Sequence, residues 1–381
     1  MRFSSHYALL LPVLARAAPV VQSNLDVSIS TTGATVDISV TNHGAEDVDL
    51  FTLGSVLSPY GVNVAVSKDG KPVRFRGLFV RPRTSNLSGA DFTHIGSGET
   101  KTNSVDISTK FDTSSGGEFQ VTVSPSLRLA DEDFGLGAPI SLPAVTASVT
   151  VTPGALRKRV LRKSISPRQS SSHPQVQANC VGDQLQSIEA ALDNAAEWIG
   201  KAKVDVENLT SIYVDEYFRV PVSETSDIIR GMLIARIANL DAELTGTNNT
   251  TQIYCGDDDA IDYRGQPSPC LTVGVVGFAN PETNQVALCG PNWEIPASSP
   301  VCQGPYQDDQ TTNIIHELMH CNSVGIVDPG LTAPMDYAYT YEETRSDDWI
   351  YGGLVENADS YGMYAKGVGY ELPSPCPPAE T

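Results

Sequence analysis

The first 179 residues contain no cysteine, although seven follow, at positions 180, 255, 270, 289, 302, 321 and 376. The N-terminal half must therefore fold without disulfides, and it has no thiol with which to ligate a metal held by the other half. Histidine is scarce as well. Of six in 381 residues, only His316 and His320 lie beyond His173. No apolar run after the N-terminus is long enough to span a bilayer, so the body of the chain offers no membrane partner. From Gln169 onward basic residues are few: 8 Lys and Arg face 31 Asp and Glu, a net of −23. The preceding residues carry 17 basic and 14 acidic groups, a net of +3, within a total of −20. A surface that acidic repels phosphates and disfavours nucleic acid. It attracts a basic protein, or it serves solubility alone.

The chain is long enough for two or three domains. Residues 1–18 read as a secretory signal. Arg2 is the positive start, Ala8-Leu9-Leu10-Leu11-Pro12-Val13-Leu14 the apolar middle, and Ala15-Arg16-Ala17 a small-residue cleavage pattern. The expected location is extracellular. In that compartment cysteines pair, and an odd number leaves one over. Cys321, next to His320, is the candidate: a thiolate ligand or a buried, inert thiol. Neighbouring helical residues point about 100° apart, which favours the second.

Residues 25 to about 153 alternate as strands do. Leu25–Ser30 and Ala34–Val40 switch between apolar and polar positions, with Asn42-His43-Gly44 as a turn. Val62–Val66, Phe119–Val123 and Ala147–Val151 continue the pattern, which predicts a β-sandwich. Arg157-Lys158-Arg159 and Arg162-Lys163 follow, then Ser166-Pro167-Arg168 and a polar tail. These mark an exposed basic linker open to a kexin-like processing protease, with the mature chain starting between Val160 and Gln169. Finding Leu25 at the N-terminus of the active secreted form would contradict this. Beyond Cys180 the period changes to helical, at Leu185, Ile188, Leu192, Ala195 and Ile199, then at Ile229, Met232, Leu233, Ile237, Leu240 and Leu244. Ser223 and Thr225 are capping candidates before the second helix. Thr251–Cys255, Leu271–Phe278 and Asn284–Cys289 read as three strands of a small sheet. Glycosylation sequons start at Asn86, Asn208, Asn248 and Asn249.

The chemistry concentrates at His316-Glu317-Leu318-Met319-His320. On a helix, positions i and i+4 share a face about 6 Å apart along the axis, so both imidazoles reach one Zn²⁺. Glu317 is turned aside from that pair and is free to act as a base on a water. Leu318 and Met319 point into a core. A catalytic zinc needs a third protein ligand. Position 326, where an extended motif would place a third His, is Ile, so a carboxylate must serve. Asp328, Asp336, Glu342, Glu343, Asp347, Asp348, Glu356 and Asp359 are the candidates.

Two segments then resemble the deuterolysins, fungal zinc endopeptidases also called neutral protease 2 or aspzincins. Asp336-Tyr337-Ala338-Tyr339 matches the D-x-x-Y core of that family's G-T-x-D-x-x-Y-G motif. Ala333-Pro334 stands where the family has Gly-Thr, and Thr340 replaces the last Gly. Asn357-Ala358-Asp359-Ser360-Tyr361 through Tyr364-Ala365 resembles its N-A-D-S-Y-x-x-Y-A segment. The resemblance covers the whole chain and implies a domain order. A signal (1–18) precedes a β-rich propeptide (19–156), a basic processing linker (157–174) and a zinc protease domain (175–381). The implied fold is a β-sandwich-like propeptide before an α+β, mainly helical, zincin-like catalytic domain with a small sheet. The implied ligands are His316, His320 and Asp336 around one zinc per chain, with Asp328 as the alternative third ligand.

Glu317 is the implied base. Tyr339 either donates a hydrogen bond to a developing oxyanion or packs as an aromatic. Asp359 either orients a ligand His or caps the helix starting near Ala358, and the cap is the preferred reading. The resemblance also implies cysteine pairs 180–255, 270–289 and 302–376, with Cys321 free. A secreted, monomeric endopeptidase made as a zymogen is expected. Its partners are protein or peptide substrates, basic ones by charge, and its own propeptide. The competing expectation is a secreted zinc-binding protein without catalysis.

Overall fold

The computed structural model describes residues 24–61, 63–152, 174–219, 227–301, 308–328, 331–344 and 353–373. The expected signal, the basic linker, the capping candidates Ser223 and Thr225, and the carboxylates Asp347 and Asp348 lie outside these residues. So do Cys302 and Cys376.

The alternation in the N-terminal half becomes sheet. Val36, Ile38 and Val40 point inward from the strand Thr35–Asn42 and are fully buried. That strand pairs antiparallel with Leu25–Thr32 on one side and Thr100–Asp106 on the other. A second antiparallel sheet runs in the order Val145–Val151, Gly117–Val123, Val64–Lys68, Lys71–Pro72. Phe119, Val121, Val123 and Val149 from it share one apolar core with Val36, Ile38 and Val40. The strand expected at Val62–Val66 begins two residues later, because Asn63 adopts φ 62° and turns the chain before it extends.

The C-terminal half is mixed α and β. Helices span Gly182–Val206, Ile212–Phe218, Asp227–Leu244, Gln310–His320 and Ala358–Gly369. The 3–4 spacing seen in the sequence is the buried stripe. Ile188, Leu192, Ala195 and Ile199 of the first helix meet Leu233, Ile237 and Leu240 of the third in one core. The Gln310–His320 helix is buried at all eleven positions. Asp309 caps it, its carboxylate accepting from Thr312 N at 2.7 Å. No helix among the described residues is long and apolar enough to cross a membrane.

A five-stranded sheet lies against this helix layer. Gln175–Val176, Gln252–Cys255 and Gln285–Leu288 run parallel, and Val275–Asn280 runs antiparallel beside the last. The strand expected from Leu271 starts only at Val275. Pro269–Leu271 form a 3-10 turn, and Gly274 at φ 81° breaks the extension. The fifth strand is Phe79–Pro82, from the N-terminal half, antiparallel to Val275–Asn280 at the sheet edge. Four residues that include Arg81 and Pro82 carry no alternating pattern, so the sequence gives no sign of this exchange.

Disulfides join Cys180 to Cys255 and Cys270 to Cys289, as the family resemblance implied. Cys321 is buried and unpaired. Burial raises its thiol pKa well above the ordinary value, as suits an inert group.

Candidate metal and catalytic centre

Helical spacing brings His316 and His320 onto one face, and the outer nitrogen of each ring is tied down first. His316 Nδ1 lies 2.8 Å from Asp359 Oδ1, and His320 Nδ1 lies 2.8 Å from the carbonyl oxygen of Pro334. Both partners can only accept, so each Nδ1 carries the proton and donates it. Each Nε2 is thereby turned inward as the nitrogen that offers a lone pair whenever its ring is neutral. The two Nε2 atoms stand 3.0 Å apart. Asp336 Oδ1 lies 3.1 Å from one and 3.0 Å from the other. A tetrahedral zinc with bonds of about 2.0–2.1 Å has ligand edges of about 3.3 Å, so this triangle is close to the size such an ion needs. Among the described residues it is also the group of His, Cys, Asp and Glu side chains that could hold an ion.

The loop that brings Asp336 to the helix is held by the segment that resembled the N-A-D-S-Y motif. Asn357 Oδ1 accepts from the backbone N–H groups of Tyr337 and Ala338, both at 3.0 Å. Its amide returns a bond to the Ala338 carbonyl at 3.1 Å. Met335 N–H donates to the Glu356 carbonyl and Ala358 N–H to that of Met335, at 2.7 and 2.9 Å. Arg236, fully buried, donates to the carbonyls of Gly325, Thr332 and Val355, which pins both ends of the loop. Neither Asn357 nor Arg236 was identified from the sequence as a support. Asn357 stood inside a recognised segment, whereas nothing local distinguishes Arg236 from a surface arginine.

The remaining candidates separate. Asp328 is exposed and outside the cluster. Glu343 pairs with Arg128, and Glu356 with Arg236. The preferred reading of Asp359 as a cap is corrected. Asn357 occupies the N-cap position, and Asp359 sits in the first turn, where it holds His316. Gly362 makes that reach possible. A Cβ there would meet the Thr312 carbonyl oxygen at 3.0 Å, so its absence lets the two helices approach.

Glu317 is fully buried, and neither carboxylate oxygen has a partner. Burial pushes its pKa up to about 8, with His316 pulling the other way. Burial opposes a charge on His316 and so does Arg81, but Asp359 and Asp336 outweigh both and raise its pKa to about 9. On His320 burial wins, and its pKa is lowered. Burial also opposes ionisation of Asp336, but the two imidazoles overcome it and hold the carboxyl well below the usual carboxylate range. The Tyr339 hydroxyl is buried without a partner, its ring 6.5 Å from that of His316. Burial raises its pKa, so it stays protonated and able to donate. Glu317, Asp336 and Tyr339 each carry a buried polar atom left without a hydrogen-bond donor or acceptor partner, as a site that takes an ion, a water and a carbonyl requires.

Residues 1–372 match the model of the deuterolysin metalloprotease (M35) family. A neutral protease 2 homolog, MEP2, from Coccidioides posadasii is 28% identical over 365 residues, 94% of this chain and 93% of that protein. A probable neutral protease 2 homolog from Arthroderma benhamiae is 25% identical over 397 residues, 97% and 100% of the two chains. Among solved structures, a zinc peptidase from Grifola frondosa aligns with 49% of this chain and 97% of its own. The TM-score is 0.37 and the identity 15%.

Proposed function

This chain belongs to the deuterolysin metalloprotease (M35) family, and we propose from that premise that His316, His320 and Asp336 hold one zinc ion while Glu317 moves the proton. The activity is that of a zinc-dependent endopeptidase on peptide bonds in proteins. One observation carries the residue assignment. Two inward Nε2 atoms and a carboxylate oxygen meet within 3.1 Å, beside a buried carboxylate that has no partner.

When bound, zinc supplies a Lewis acid that polarises a carbonyl and lowers the pKa of water to about 7. Asp359 and the Pro334 carbonyl fix the two imidazole rings, so the ligand set is assembled before the ion arrives. Glu317 takes a proton from the attacking water and returns it to the leaving amine. In the metal-free site burial raises the Glu317 pKa to about 8, and the charge of a bound zinc would lower it again, so that the carboxylate is free to take the proton. Tyr339 donates to the oxyanion. A preference for basic substrates is supported by the two carboxylates, Asp308 and Asp359, that already hold a guanidinium in this site.

The same reading makes residues 1–18 a secretory signal and 19–156 a β-sandwich propeptide. Residues 157–174 are then the processed linker, 175–381 the mature enzyme, and the product a secreted glycoprotein. Asn86, Asn208 and Asn248 are exposed, as glycan acceptors must be.

The experiment is to assay casein and a basic protein with linker-cleaved enzyme freed of its N-terminal half, with and without chelator, beside Glu317→Gln and Asp336→Ala treated in the same way. Glu317→Gln should keep its zinc and lose activity at least 10³-fold, while Asp336→Ala should lose both. Full zinc in Asp336→Ala would refute the ligand assignment. Stoichiometric zinc in the wild type without hydrolysis would leave a zinc-binding protein.

A further inference from the structure

The catalytic group is covered. His316, Glu317 and His320 are fully buried, and Asp336 and Tyr339 nearly so. A hydrolase in this state admits no substrate. The cover is the N-terminal half. Phe79 lies flat on His320, with centroids 4.1 Å apart and planes 7° from parallel. Arg81, only 3% exposed, donates to Asp359, the residue that holds His316, and to Asp308 at 2.9 Å. Thr84 Oγ1 donates to the other oxygen of Asp308 at 2.5 Å. Between these side chains the backbone of Phe79–Pro82 is a strand of the catalytic sheet, with Val80 opposite Phe278 and Arg81 opposite Gly277.

Further contacts hold the two halves together around that strand. Arg76 Nε meets Glu282 at 2.6 Å and Arg128 Nε meets Glu343 at 2.7 Å, a basic group of one half on an acidic group of the other in each case. Leu78 and Val80 share an apolar cluster with Tyr254, Val275 and Phe278. Met335, next to Asp336, packs on the N-terminal core.

We infer that the N-terminal half inhibits its own catalytic half by adding a strand across the site, and that cutting the linker between residues 157 and 168 leaves the enzyme closed. The inference rests on the peptidase reading above and adds the mode of its restraint. Among the described residues, the strand pairing, ion pairs, ring stack and apolar cluster that close the site join residues between 53 and 128 to residues between 254 and 359. A cut therefore removes none of them. It removes only the tether, which lowers the effective concentration of the cover. Strand addition combined with buried ion pairs and an apolar seam dissociates slowly, because parting them leaves the charges of Asp308 and Asp359 uncompensated. Activation then takes two steps: the cut, and removal of the Phe79–Pro82 strand by dissociation or by digestion of the N-terminal half.

The test is made on the full chain, nicked in the linker by a site-specific protease. Nicked wild type is compared with nicked Arg81→Glu and Phe79→Ala by gel filtration, hydrolysis of a fluorogenic basic peptide, and amide hydrogen exchange across Val275–Asn280. Wild-type halves should co-elute, protect Val275–Asn280 and hydrolyse at least tenfold more slowly than either variant, in which the amides of that strand facing Phe79–Pro82 should exchange faster while those paired with Gln285–Leu288 stay protected. Wild-type halves that separate on nicking, or that co-elute at full activity, overturn the inference. So does equal exchange of Val275–Asn280 in wild type and variants. Exchange decides the matter without turnover. If the variants open by exchange but none hydrolyses, the peptidase reading fails and the strand latch stands.

Discussion

Gly277 lies on the strand beneath the proposed base, and its missing side chain sets where that base sits. A Cβ built there would stand 2.9 Å from Glu317 Oε1, 3.2 Å from the Ala287 carbonyl oxygen and 3.5 Å from Asn313 Nδ2. The backbone oxygen is fixed in the sheet, with Ala287 paired opposite Phe278. The carboxylate tip is the part that must yield, by roughly half an ångström to restore ordinary contact. A misplacement of about 1 Å at a reacting group costs about 10² in rate, so Gly277→Ala should lower kcat about 10- to 100-fold. Overpacking should cost about 1–3 kcal/mol of stability. Zinc should stay, because the three atoms nearest the added methyl belong to neither imidazole nor Asp336. The assay is kcat on a fluorogenic peptide by linker-cleaved, opened enzyme, with zinc content and urea unfolding measured on the same sample. Gly200→Ala is the control. It sits in the Gly182–Val206 helix with nothing near its Cβ, and should gain about 1 kcal/mol without changing kcat. A Gly277→Ala enzyme within twofold of wild type would refute the placement of Glu317 against this strand.

Three other outcomes follow from the same geometry. Asp359→Asn keeps the shape but removes the charge facing the Nδ1–H of His316, and should weaken zinc binding about 10–100-fold in a chelator competition; an unchanged Kd would contradict its supporting role. Arg236→Lys cannot reach three carbonyls and Glu356 from one ammonium, so it should cost about 2–4 kcal/mol in urea unfolding and loosen the Asp336 loop; a loss under about 0.5 kcal/mol would show that the fork is dispensable. The chelated full chain should lose stability as pH rises from about 7 to 9. Glu317 and His316 both bind their protons more tightly folded than unfolded, with pKa values of about 8 and 9, so each contribution is present at lower pH and fades on the way up. Asp336 and His320, whose pKa values are lowered, add no slope in that window. Thermal melts should show the fall, and Glu317→Gln should remove its share; a flat profile in the wild type would overturn the assignment.

The legible parts of the chain were those where the determining pattern is local. Spacing of four on a helix placed His316 and His320 on one face, and Glu317 follows from adjacency. A count of histidines required a carboxylate as third ligand. Alternation marked Ala34–Val40 and Phe119–Val123 as strands, and the 3–4 period from Leu185 to Ile199 marked a helix. The choice of Asp336 came from a motif match, and the reason it works is tertiary: Asn357 and Arg236, reached across 20 and about 100 residues, hold its loop against the helix. Asp359 was read from its position near a helix start, whereas a contact with His316 across 43 residues decided its role. The largest omission was the Phe79–Pro82 strand. Its pairing energy comes from an edge some 200 residues away, and its Arg81 reads locally as an ordinary exposed charge. The sequence alone thus determined which side chains can do chemistry, since helical period and residue type are properties of neighbours. Which of them meet, and that the N-terminal half closes over them, only the tertiary structure decided, since burial and strand exchange depend on partners distant in the chain.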